Sequence, residues 1–117
     1  MKKTDVIILK KIIGYCDNVE ELMIKFDNDF NTFKKEIAFQ YSCNMCIMQI
    51  GELTTRISDE IKSQNKTIPW SAIKTMRNIQ AHDYEHVDME MVWETLQQDI
   101  PALRDKIKAL LAEGEHQ

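Results

Sequence analysis

Residues 31–63 read NTFKKEIAFQYSCNMCIMQIGELTTRISDEIKS, the longest stretch of the chain in which apolar residues recur at spacings of three and four. That period is the signature of an α-helix packed on its neighbours. Here it does not resolve into one stripe. Phe33, Ile37, Tyr41 and Met48 define one face, and Cys46, Ile50, Leu53, Ile57 and Ile61 define another. A helix apolar on two sides must be covered on two sides, which predicts an element central to a bundle, part of a subunit interface, or both. Phe30 and Phe33 fit a separate short helical turn ahead of it.

Working outward, the remaining segments repeat the helical period. Ile8, Ile12, Tyr15, Val19, Leu22 and Phe26 form the stripe of a first helix, with Thr4 or Asp5 as its N-cap, and Asp27-Asn28-Asp29 reads as a turn. Ser63 to Thr67 is a polar loop. Pro69 suits the first turn of the next helix, where its missing N–H has no partner to lose, and Trp70, Ile73, Met76 and Ile79 are predicted to point inward from it. Asp88 caps the last helix, whose stripe is Met89, Val92, Trp93, Leu96, Ile100, Leu103, Ile107 and Leu110. Pro101 lies inside that pattern and is expected to bend the helix near Gln97, the residue whose carbonyl loses its donor. The fold class predicted is all-α, an antiparallel bundle of four principal helices with short extra helical turns. One domain over residues 1–113 is expected, with 114–117 as a frayed tail.

The composition narrows the function classes. A net charge of −4 over 117 residues argues against a surface that coats nucleic acid through many phosphate contacts, so any contact with RNA is local. Three cysteines, Cys16, Cys43 and Cys46, are an odd and modest number that fits reduced thiols rather than a disulfide framework. No apolar run is long enough to span a bilayer, and the expected location is the cytoplasm.

Chemistry-bearing side chains gather in residues 76–86, MRNIQAHDYEH. Arg77 and His82 are five positions apart, roughly 140° of helical rotation and about 7.5 Å of rise, so they do not share a stripe. Asn78 and His82, four apart, do. By spacing alone, Arg77 in ion pairs, His82 at a helix end and Tyr84 with a satisfied hydroxyl serve as well as a reactive site. A second copy facing the first across a dimer would complete a site that one copy leaves open. Cys43 and Cys46 have the spacing of half a zinc site or a redox pair, but inside a helix and with no second ligand pair they read as small buried hydrophobes. His82 and His86 with Asp83 and Asp88 are not read as a metal site. Lys10-Lys11 and Lys34-Lys35 read as solvated faces.

Arg77, four residues, His82, one residue, Tyr84 resembles the signature of the HepT-like family within the HEPN superfamily. Gly51-Glu52, Ile68-Pro69-Trp70, Val87-Asp88 with Val92-Trp93, and Asp99-Ile100-Pro101-Ala102-Leu103 also look like that family's pattern, so the resemblance runs from Asp5 to Ile107. Cys43 and Cys46 depart from it.

The resemblance implies a dimeric HEPN bundle, the toxin half of a type VII-like toxin–antitoxin pair. It implies a metal-independent endoribonuclease with RNA as substrate, Arg77 and His82 as the catalytic pair, and Asn78, Asp83 and Tyr84 in supporting roles. The implied partner is a minimal nucleotidyltransferase that silences the toxin by adenylylating Tyr84. No cofactor, metal or membrane is implied. The other reading is a non-catalytic helical module that serves as the substrate of such a nucleotidyltransferase.

Overall fold

The computed structural model describes residues 1–74 and 88–115. Among them every regular element is helical, with no strand: α1 (Lys3–Lys25), α2 (Phe30–Lys35), α3 (Ile37–Thr54), α4 (Asp59–Gln64), α5 (Met89–Glu94) and α6 (Ile100–Glu115). Residues 70–74 are also helical. The all-α class expected from the period is therefore found.

α1 begins two or three residues earlier than its capping residues suggested. Lys2 is the N-cap and makes no side-chain cap bond, so neither Thr4 nor Asp5 caps. Asp5 lies inside the first turn and is buried, its carboxylate accepting from the Ser58 backbone N–H at 3.0 Å and from the Ser58 hydroxyl at 2.7 Å. Ser58 in turn is the N-cap of α4. One carboxylate thus joins the first turn of the chain to the start of α4, and two polar groups withdrawn from water satisfy each other.

The buried face of α1 is Asp5, Leu9, Ile12, Cys16, Val19 and Met23. The expected stripe shares Ile12 and Val19 with it. Ile8, Tyr15, Leu22 and Phe26 are half-buried at its edge. α1 ends in a Schellman motif: Asn28 N–H donates to Met23 O at 2.7 Å and Asp27 N–H to Ile24 O at 3.1 Å. Asp27 and Asn28 both take positive φ, 59° and 49°. Asp and Asn tolerate that left-handed region better than other residues bearing a Cβ, which is why this turn forms without glycine. Asp29 then caps α2, accepting from Thr32 N–H at 3.2 Å and the Thr32 hydroxyl at 2.9 Å. The Thr32 hydroxyl, first among the causes, holds the Asp29 carboxyl below its ordinary range.

The long segment 31–63 is three helices. The first break, at Glu36, is held from a distance. Buried Gln40 donates its amide to the carbonyls of Phe33 (2.8 Å) and Lys34 (3.1 Å), satisfying acceptors that α2 leaves open at its C-terminus. The second break spans residues 55–58, before Ser58 caps α4. Of the two apolar faces, one is buried: Phe39, Cys43, Cys46, Ile47, Ile50 and Leu53. The other divides: Phe33 is buried in α2 and Met48 is half-buried, while Ile37 and Tyr41, with Met45 a turn beyond, are 60%, 59% and 62% exposed.

At one end of the bundle Phe30, Phe33 and Phe39 meet Trp93, and Phe26 joins them through Phe39. Phe26 stacks on Phe39 with ring centroids 4.5 Å apart, Phe33 meets Phe39 edge-on at 5.1 Å, and Trp93 lies 5.4 Å from Phe33 and 5.6 Å from Phe30. Such offset and edge-on pairs add about 0.5–1.5 kcal/mol each beyond their buried area, and here they tie α1, α2, α3 and α5 together.

Between α5 and α6 the helix widens to a π-helical stretch, Thr95–Asp99, in which Ile100 N–H reaches Thr95 O. Pro101 offers Gln97 no donor, so the departure falls where the sequence places it and takes the form of a widened turn. The Gln97 side-chain amide donates to Asn28 Oδ1, tying this stretch to the turn after α1. Farther along, the Arg104 guanidinium pairs with Asp17 (3.3 Å) and with Glu20, fixing α6 on α1.

Candidate functional site

Every residue singled out for chemistry in the motif, Arg77, Asn78, His82, Asp83 and Tyr84, lies outside the described residues, as do His86, Met76 and Ile79. What the structure supplies is the frame on either side. On the entry side, Trp70 and Ile73 are buried as their spacing predicts. Trp70 donates its ring N–H to Asn65 O at 3.1 Å, its backbone N–H bonds Ile68 O at 2.9 Å, and Ile73 N–H bonds Pro69 O at 3.1 Å. The indole thereby locks the polar loop onto the first turn of the helix that leads to the motif.

On the exit side Asp88 is the N-cap of α5. Its carboxylate accepts from Glu90 N–H at 2.9 Å and its carbonyl from Val92 N–H at 3.1 Å. Trp93, one turn on, is set into the aromatic cluster. The chain is therefore held by side-chain bonds to both sides of residues 75–87, and both anchors had sequence signals: proline before tryptophan, and aspartate before an apolar period.

The cysteines lie in the core. Cys16, Cys43 and Cys46 are free and buried. Burial pushes the Cys16 and Cys43 thiols up to about 12 and raises Cys46 as well. A thiol that keeps its proton is neither nucleophile nor metal ligand. Among the described residues no three of His, Cys, Asp or Glu gather to hold a metal ion, and no helix is long and apolar enough to cross a membrane. Lys10, Lys11, Lys34 and Lys35 are exposed, Lys34 with its ammonium 4.9 Å from the Phe30 ring centroid.

Comparison with known proteins bears on the whole chain, including the part that carries the motif. The family model described as "HepT-like: Ribonuclease HepT-like" matches residues 12–110. A protein of Methanocaldococcus jannaschii named "Putative RNase" is 28% identical over 116 residues, 98% of either chain. "Probable ribonuclease HepT" of Thermococcus cleftensis is 30% identical over 92 residues, which is 77% of this chain and 84% of that one. No solved structure matches.

Proposed function

Because this chain belongs to the HepT-like ribonuclease family, we propose that it is a metal-independent endoribonuclease whose reacting groups are Arg77 and His82. The observation that carries the reading is that Arg77, His82 and Tyr84 stand at the motif's spacing inside the matched span of 12–110. The chemistry suits the residue types. Cleaving an RNA phosphodiester without metal needs a base for the 2′-hydroxyl proton, and imidazole titrates near neutral pH. His82 takes that role. Negative charge then grows on the phosphoryl oxygens, and a guanidinium, which never loses its proton, offsets it. Arg77 takes that one. Asn78 and Asp83 flank the pair as supports, and Tyr84 positions RNA.

In the same reading the enzyme acts as a homodimer, since Arg77 and His82 would share no stripe on a continuous helix and a second copy would complete the site. The open face of α3 supports this part: Ile37, Tyr41 and Met45, each about three-fifths exposed, form a stripe at a spacing of four that a second copy can cover. The chain is the toxin of a toxin–antitoxin pair, and a minimal nucleotidyltransferase neutralises it by adenylylating Tyr84. A phenol is a reasonable nucleophile toward an activated adenylyl group, and the added phosphate would put negative charge where the substrate's phosphate must sit.

The test is cleavage of RNA by the purified chain in EDTA. His82→Ala and Arg77→Ala are each expected to lower the rate by a factor of about 10² or more. Undiminished cleavage by His82→Ala would remove the assignment. Intact mass after co-expression with the nucleotidyltransferase, against Tyr84→Phe, tests the modification separately.

A further inference from the structure

An apolar cleft of about 180 Å³ opens where residues 69–74 meet the start of α6. Its floor is Ile73, Ile100 and Leu103, all buried. Its depth comes from Ala72 and Ala102, exposed small residues on the two facing elements, where longer side chains would close the gap. Two charged residues, Asp99 and Lys106, complete the lining. They are not equivalent. The Lys106 ammonium donates to Thr67 O at 2.8 Å, so it clamps the loop 65–68 onto α6 and its aliphatic stem serves as wall. Asp99 is exposed, and no ion pair among the described residues engages it.

Size decides what kind of occupant fits. Sites for whole small molecules run to about 300–1,000 Å³, whereas an apolar cavity of about 150 Å³ takes up one benzene. The cleft therefore matches one aromatic or branched aliphatic side chain. The walls are held by the Lys106–Thr67 and Trp70–Asn65 bonds, so little ordering is needed on binding. Such a pocket is the usual seat of a hot-spot anchor in a protein interface. Charge decides whose side chain it is. The chain carries −4 and Asp99 adds a local carboxylate at the mouth, so a basic partner is drawn in.

We propose that this cleft is the docking site for a separate protein that inserts one large apolar side chain directly followed by an arginine or lysine, which pairs with Asp99. The inference goes beyond the ribonuclease reading and does not depend on Arg77 or His82.

The probes are two capped dipeptides, acetyl-Phe-Arg-amide and acetyl-Phe-Glu-amide, titrated into the full ¹⁵N-labelled chain. The expected result is saturable shifts at the amides of Ala72, Ile73, Ala102 and Leu103, with the Arg peptide binding at least five-fold more tightly. Asp99→Asn should erase that preference while leaving binding of the Phe group. Ala102→Leu, a change at an exposed position, should abolish saturation for both with the helical circular dichroism unchanged. Shifts that never saturate, or that survive Ala102→Leu, overturn the proposal. If the unliganded chain sediments as an oligomer that Ala102→Leu dissociates, the cleft belongs to a second copy and the assignment of a separate basic partner falls. RNA cleavage by Ala102→Leu should match that of the unaltered chain, so loss of docking and loss of the ribonuclease reading are read on different measurements.

Discussion

The two faces of α3 differ in burial far more than in composition. On the inner face Phe39, Cys43, Ile47 and Ile50 are wholly buried, whereas on the outer face Ile37, Tyr41 and Met45 keep about three-fifths of their surface in water. Hydrophobic periodicity scores the two faces alike, because it counts apolar residues and cannot see what covers them. One face holds the chain's own core, and the other keeps most of its apolar surface in water. Four measurements would break or sharpen that contrast.

The largest effect is expected on the inner face. Ile47→Ala removes buried methyl and methylene groups from the core and is expected to cost about 2–5 kcal/mol, read as a lowered urea midpoint. Ile37→Ala on the outer face should stay within about 0.5 kcal/mol. Equal losses at the two positions would erase the distinction.

Next in size is an alkaline weakness of the inner face. Once unfolded, Cys16 and Cys43 ionise above their ordinary value of 9.0, but in the fold burial keeps them protonated to about 12. The folded value is the raised one, so stability is intact below pH 9 and falls between 9 and 12, by at most about 1.4 kcal/mol per pH unit for each thiol. Cys43→Ala should flatten the pH dependence measured by urea unfolding at pH 8 and pH 10. The same slope with and without the thiol would contradict the burial argument.

Third, charge on the outer face should leave the monomer alone and separate copies from one another. For Met45→Glu we expect unfolding of the monomer within about 0.5 kcal/mol of the parent and a halving of the mass by light scattering. A dimer that survives Met45→Glu must use another surface. The smallest effect concerns Asp29, at the start of the short helix that feeds α3. Its carboxyl is held below 3.8 by the Thr32 hydroxyl, so the cap contributes fully above the ordinary carboxylate range and fades as pH falls through the depressed value. Asp29→Ala should lower the thermal midpoint slightly at pH 7, and the gap to the parent should close as the solution is acidified.

Much of this architecture is written locally and some of it is not. The turn at Asp27-Asn28-Asp29, the caps at Asp88 and Pro69, and the disturbance set by Pro101 all announce themselves in neighbouring letters, because backbone preferences decide them. The centre of α1's buried face is displaced from Ile8 and Tyr15 to Leu9 and Cys16, since an arc this wide leaves its midline to packing and includes a carboxylate that hydropathy places outside. The break at Glu36 has no glycine or proline to mark it. It rests on Gln40 reaching back to the end of α2, a bond that only the fold reveals. At Ser58, by contrast, a signal is present: a serine followed by Asp59-Glu60 is a helix start, hidden beneath the apolar period that runs through it.

The site is a different case. Arg77 and His82 share no helical stripe, so no count of periods could unite them. The motif's likeness to a family carries that reading, and the family match over 12–110 includes the motif's positions.

The bond between Asp5 and Ser58 has a consequence for the nascent chain. Its two ends stand 53 positions apart, so while the ribosome is still making α3 the carboxylate has no partner beyond its own hydration. Until Ser58 emerges, seating the first turn would strip that charge of water without recompense. Burial of the opening turn is therefore tied to the arrival of a residue 53 positions downstream.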